Sequence, residues 1–89
     1  MLQDEIETIV SRLSAEDRDS IRKLPEESLI SLHRTLGRTL RNGFRLNTYP
    51  WLFTHCYRHV KQEDRSLDAL SQIAIRLIWE HLRKSSAVD

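Results

Sequence analysis

Glycine, proline and cysteine are scarce: the 89 residues include two Gly, two Pro and one Cys. Average usage is roughly 7% Gly and 5% Pro, so a glycine-rich phosphate loop and a turn-dense sandwich are not expected. The lone Cys56 cannot close an internal disulfide, which fits a reducing compartment and a cytoplasmic location. No apolar run approaches the ~18 residues of a spanning helix. The opening Met1-Leu2-Gln3-Asp4-Glu5 is acidic with no apolar stretch behind it. No signal peptide is therefore expected, and no membrane among the partners. The length excludes a multidomain enzyme and suits one helical domain over 1–84, with 85–89 as a frayed tail.

Charge is plentiful, at 30% of residues, and unevenly placed. Residues 1–30 carry eight acids and four bases. Residues 31–61 carry six bases (Arg34, Arg38, Arg41, Arg45, Arg58, Lys61) and no acid. The remaining stretch is nearly balanced, so the net charge of +1 conceals a basic middle third able to present a local positive field.

Apolar spacing predicts an all-α compact bundle of four to five helices, over about 2–13, 14–24, 25–42, 50–60 and 66–84. Leu2, Ile6, Ile9, Val10 and Leu13 make the first amphipathic face. Ser14 reads as an N-cap for the second helix, where Ala15, Ile21 and Leu24 offer a thin apolar side. Pro25 suits a first helical turn, and Asn42-Gly43 reads as the stop of the third helix. Pro50 opens the fourth helix, and Ser66 or Asp68 caps the fifth. The fifth is apolar over more than half its circumference, with only Gln72, Arg76, Glu80 and Arg83 as a polar stripe. Such a helix is either central, packed on two sides, or offers Ile75, Trp79 and Leu82 to another chain.

In the third helix Leu29, Leu32, Leu36 and Leu40 form the core stripe, and Arg34, Arg38 and Arg41 lie nearly opposite, within about 60° of one another. Arg45 extends that line if the helix continues. A guanidinium offers a rigid fork for carboxylate or phosphate, and stacked like charges are mildly unfavourable in an isolated helix. One reading is a solvated face pairing with the acidic first two helices. Another is a docking face for an acidic protein. A third is nucleic acid, with Phe44, Tyr49, Trp51 and Phe53 near the basic run to stack on unpaired bases, although Phe53 also belongs to an apolar face with Cys56 and Tyr57.

Little catalytic chemistry is legible. His55-Cys56-x-x-His59 is metal-like, but Cys56 falls on the apolar side, the two His point elsewhere, and no second Cys/His pair supplies a fourth ligand. His33 and His81 are isolated, and carboxylate pairs such as Glu26-Glu27 sit where helix ends explain them. No catalytic, cofactor or metal residues are expected.

Over about residues 32–82 the chain resembles a small bacterial helical domain family of unknown function. The matching residues are Leu32-His33, Leu36-Gly37, Arg41-Asn42 and Leu46, then Asp68, Ser71, Ile73, Ile75 and Trp79. The resemblance implies a helical fold and no mechanism, and suggests that Gly37 lets another helix approach. The expectation is a non-enzymatic inhibitor or adaptor, of the toxin-neutralising or anti-CRISPR-like kind, acting by steric occlusion. It would dock on an acidic protein or ribonucleoprotein through Arg34, Arg38, Arg41, Arg45, Tyr49, Trp51 and Arg58. The alternatives are RNA or DNA binding by the same face, and a homodimer through Ile75, Trp79 and Leu82.

Overall fold

The structure, a computed structural model, describes residues 1–87, with side chains through Lys84. It is all-α, with no strand among the described residues. Five α-helices follow one another: α1 (Leu2–Arg12), α2 (Ala15–Lys23), α3 (Leu36–Arg45), α4 (Pro50–His59) and α5 (Leu67–Ala87), with a 3-10 helix, Glu26–Leu32, between α2 and α3. No described helix is long and apolar enough to cross a membrane.

The hub is α5, which packs against α1, α2, the 3-10 helix, α3 and α4. Leu70, Ala74, Ile75, Ile78 and Leu82 are all buried along it, which is why its apolar sector is so wide. The expected self-association face is thereby corrected. Ile75 and Leu82 are core residues, and Trp79 is half-buried, its Nε1–H donating to the Leu24 carbonyl at 2.9 Å. Arg83 lies over the outer side of the Trp79 ring, 4.9 Å from its centroid. The helix also outruns its expected end at 84 and continues to Ala87, so residues 85–87 belong to it. Of the tail expected to fray, residues 88–89 lie outside the described residues.

The caps follow local chemistry. The Ser14 hydroxyl accepts from the Asp17 amide at 3.0 Å, and the Ser66 hydroxyl from the Ala69 amide at 3.2 Å. At α4 neither Tyr49 nor Pro50 can serve: Tyr49 makes no side-chain cap bond, and Pro50 has no N–H. The Glu5 carboxylate of α1 reaches across instead, accepting from the Leu52 amide at 2.7 Å and the Trp51 amide at 3.2 Å. An anion at the positive end of the α4 dipole thus ties α1 to α4. Glu5→Ala is expected to lower stability by roughly 1–2 kcal/mol, as for loss of an N-cap, measured by urea unfolding. Glu5→Gln should recover part of that loss, since it keeps one acceptor but not the charge.

The expected third helix, 25–42, is corrected in two ways. Its first half is not α-helical: Glu26–Leu32 winds as 3-10, a turn covers 33–35, and α3 begins at Leu36. The segment is held to α5 at both ends, by Glu26 paired with Arg76 and by Gly37 against Ile75. A 3-10 winding rises about 2.0 Å per residue against 1.5 Å for α, so it covers more of the length of α5. Its second half runs past Asn42-Gly43 to Arg45. The stop is a Schellman motif one turn later. Asn47 takes φ 57°, its amide bonds the Phe44 carbonyl at 3.2 Å, and the Thr48 amide bonds the Gly43 carbonyl at 2.8 Å.

Gly43 serves packing. The buried Tyr49 ring lies where a Cβ on Gly43 would project, 2.4 Å from its Cε2. At Gly37 the missing Cβ leaves room for the Arg41 guanidinium, 2.9 Å from where it would lie, whereas Ile75 Cδ1 of α5 is at 3.5 Å, ordinary contact distance.

Candidate docking surface

Leu36 and Leu40 bury one side of α3, and Arg38 and Arg45, seven residues apart, project together from the opposite side. Arg34 stands exposed in the turn before α3, and Arg58 on the outer side of α4, seven residues after Trp51 and on the same face. Among the described residues none of these four arginines has an ion-pair or hydrogen-bond partner. The reading in which α1 and α2 neutralise the basic face is therefore not what the fold adopts. Asp19 of α2 pairs with Arg22 and Lys23 of its own helix, and these two cations hold its carboxyl below the usual range. Glu5 is engaged at the start of α4.

Two expected contact residues are corrected. Arg41 does not join the exposed stripe, its side chain being only 15% exposed. The guanidinium folds back over Gly37. There Nη1 donates to the His33 carbonyl at 3.2 Å and approaches Ser71 Oγ at 3.5 Å, and Nε lies 3.4 Å from Asp68 Oδ1. Its Cα sits at the edge of the buried sector of α3, so the long side chain can turn inward to Ser71, the one buried polar side chain among the described residues. Tyr49 is likewise a core residue, 5% exposed, its hydroxyl accepting from Arg12 Nη1 at 3.1 Å.

The aromatics near the basic run divide accordingly. Phe44 is buried with the half-buried Phe53 edge-on to it, ring centroids 5.7 Å apart. Phe53 also stacks on Tyr57, whose ring lies under Arg65 at 4.4 Å from the guanidinium carbon. Trp51 alone of the four faces solvent, at 58% exposure. Sequence reasoning missed Leu46 as a surface residue. The Schellman turn leaves it 78% exposed beside Arg45, and the signal was the Leu46-Asn47 pair, with Asn tolerant of the left-handed conformation. The α3–α4 corner thus carries two large exposed apolar side chains, Leu46 and Trp51, next to Arg45.

The His55-Cys56-His59 cluster resolves into separate parts. Cys56 is fully buried, and burial pushes its thiol up to about 12. The His55 and His59 rings lie 4.4 Å apart on another side of α4, and burial followed by the charge of His59 keeps His55 below the ordinary histidine range. No group of three or more His, Cys, Asp or Glu among the described residues is arranged to hold a metal ion. No described Ser, Thr or Cys hydrogen-bonds a histidine. A neutral, enclosed thiol is a poor nucleophile. Cys56 is therefore expected to react with Ellman's reagent only on unfolding, at least ~100-fold more slowly in the native protein than in urea. Fast native labelling would contradict its burial.

No protein-family model, curated protein or solved structure matches the chain.

Proposed function

We propose that this chain is a non-enzymatic interaction protein of the inhibitor or adaptor type, which docks on an acidic surface of a larger protein or ribonucleoprotein and acts by steric occlusion. Arg34, Arg38 and Arg45 carry the charge recognition, with Leu46 and Trp51 at the α3–α4 corner and Arg58 near the far end of α4. The observation behind this reading is the set of exposed arginines without partners, in a stretch of 31 residues lacking any acid. Guanidinium forks match carboxylates in two-pronged geometry, and Trp and Arg are the side chains that most often dominate binding energy at interfaces. Toxin-neutralising and anti-defence proteins are examples of this type of action.

Nucleic acid is the second reading, favoured by the exposed Trp51 ring between basic residues. It ranks lower because Asp4, Glu7, Glu16 and Asp17 are exposed on α1 and α2 and repel phosphate. A pull-down from lysate, with and without nuclease, separates the two. A partner retained after nuclease and lost from Arg34→Glu/Arg38→Glu/Arg45→Glu supports docking on protein. Loss on nuclease treatment favours RNA or DNA. Identical partners for wild type and variant refute both.

A further inference from the structure

The stretch from Glu26 to Arg45 contains no proline, and its spacing is that of one unbroken α-helix. In such a helix Leu29, Leu32, Leu36 and Leu40 span about 80° and Arg34, Arg38, Arg41 and Arg45 about 60° on the opposite side. The fold departs from this. Residues Glu26–Leu32 form a 3-10 helix of seven residues, where runs beyond three or four are uncommon. His33 already has α-helical angles (φ −56°, ψ −41°), and Thr35, at φ −104° and ψ −88°, turns the path away before α3 starts.

Arg41 spans this break. In a continuous helix the His33 carbonyl would accept from the Gly37 amide, four residues on. Here it accepts from Arg41 Nη1 instead. The seat is loosely made: its polar distances run from 3.2 to 3.5 Å, at the long end for hydrogen bonds, and Asp68 is 63% exposed. A carboxylate from outside can replace that of Asp68 at little cost.

We infer that residues 26–35 are a binding-linked hinge. On contact with an acidic partner the 3-10 segment and the 33–35 turn rewind as α-helix continuous with α3. Arg41 then leaves Ser71 and Asp68, and four arginines assemble into one stripe opposite the leucines. The inference rests on the docking reading of the same face and concerns its regulation: the full recognition stripe exists only in the bound state. Rewinding shortens the segment by about 0.5 Å per residue, ~3.5 Å over seven residues. Leu24 and Pro25 are already extended (ψ 138° and 158°), so the shortening is taken up at the exposed Glu26–Arg76 pair, which must part.

Gly37→Ala tests it. The added Cβ would lie 2.9 Å from Arg41 Nη1, the movable end of a long side chain, but at 3.4 Å from the Leu32 carbonyl oxygen and 3.5 Å from Ile75 Cδ1. The substitution therefore displaces the guanidinium, while its helix preference, at a position already inside α3, is the same in both states. Amides 26–36 of isolated Gly37→Ala should exchange with deuterium severalfold more slowly than in wild type, since loss of the Arg41 seat returns the His33 carbonyl to the amide of residue 37. Affinity for poly-L-glutamate should rise by a similar factor. Asp68→Asn, which weakens the seat without touching α3, should shift both readouts in the same direction. In wild type, poly-L-glutamate itself should slow exchange over 26–36.

Unchanged exchange over 26–36 in both variants, and in wild type with poly-L-glutamate bound, overturns the hinge while leaving docking intact. If poly-L-glutamate binds neither wild type nor variants, the docking reading fails and takes the coupling with it, whatever the variants do to helix content.

Discussion

Gly43→Val is expected to destabilise the domain by roughly 3 kcal/mol or more, the upper range for overpacking a well-filled core. From sequence the same change reads as the loss of a helix stop, because Gly accepts the left-handed conformation there and a β-branched residue does not. In the fold Gly43 is inside α3, and its Cβ would meet Cε2 and Cδ2 of Tyr49 at 2.4 and 2.6 Å. That ring cannot swing aside freely, because it is buried and Arg12 holds its hydroxyl. Domains of this size are stable by about 0.05–0.15 kcal/mol per residue, so the loss is a large fraction of the whole. Gly43→Ala should cost less, with its gain in helix preference offset by the same clash. Equilibrium urea unfolding measures both, and a midpoint for Gly43→Ala above that of wild type would refute the packing role.

Arg34→Glu/Arg38→Glu/Arg45→Glu is expected to weaken partner binding at least ~100-fold, about 2.7 kcal/mol, while stability changes little. Each side chain is exposed and makes no ion pair or hydrogen bond within the described residues, the situation in which surface substitutions typically change stability by no more than ~0.5 kcal/mol each. Calorimetric titration against the partner recovered by pull-down gives the affinity, and a thermal melt checks the fold. Reversal of Arg18 with Lys84, basic residues outside the middle third, serves as the control and should leave affinity within a few-fold. Equal losses in both variants would show that overall charge, not this face, is recognised. Arg41→Glu is unsuitable for the purpose: it would place a carboxylate beside Asp68 and the buried Ser71, and stability would fall along with binding.

These expectations show what was legible before folding. The all-α class and the starts of α1, α2, α4 and α5 followed from apolar periodicity and from Ser14, Pro50 and Ser66, while the width of its apolar sector left α5 either central or facing another chain. Such features depend on neighbours within a turn or two of helix. The basic character of residues 31–61 is equally local, being a property of composition.

Only the tertiary structure decided which arginines remain outside. Arg38 and Arg41 are equivalent on a helical wheel to within about 60°. Yet Arg41, at the margin of the buried sector, finds the His33 carbonyl, Ser71 and Asp68 within reach, and Arg38 does not. Tyr49 and Trp51 are two residues apart in one aromatic stretch, and the close approach of α4 to Gly43 buries the first and exposes the second. The 3-10 winding of Glu26–Leu32, in a stretch patterned for α-helix, likewise lies between attachments to α5 that are remote in sequence. Local spacing determined the helices and the placing of charge along the chain. Long-range contacts with α5 determined which of those charges solvent, or a partner, can reach, because burial depends on atoms that the chain brings together only when folded.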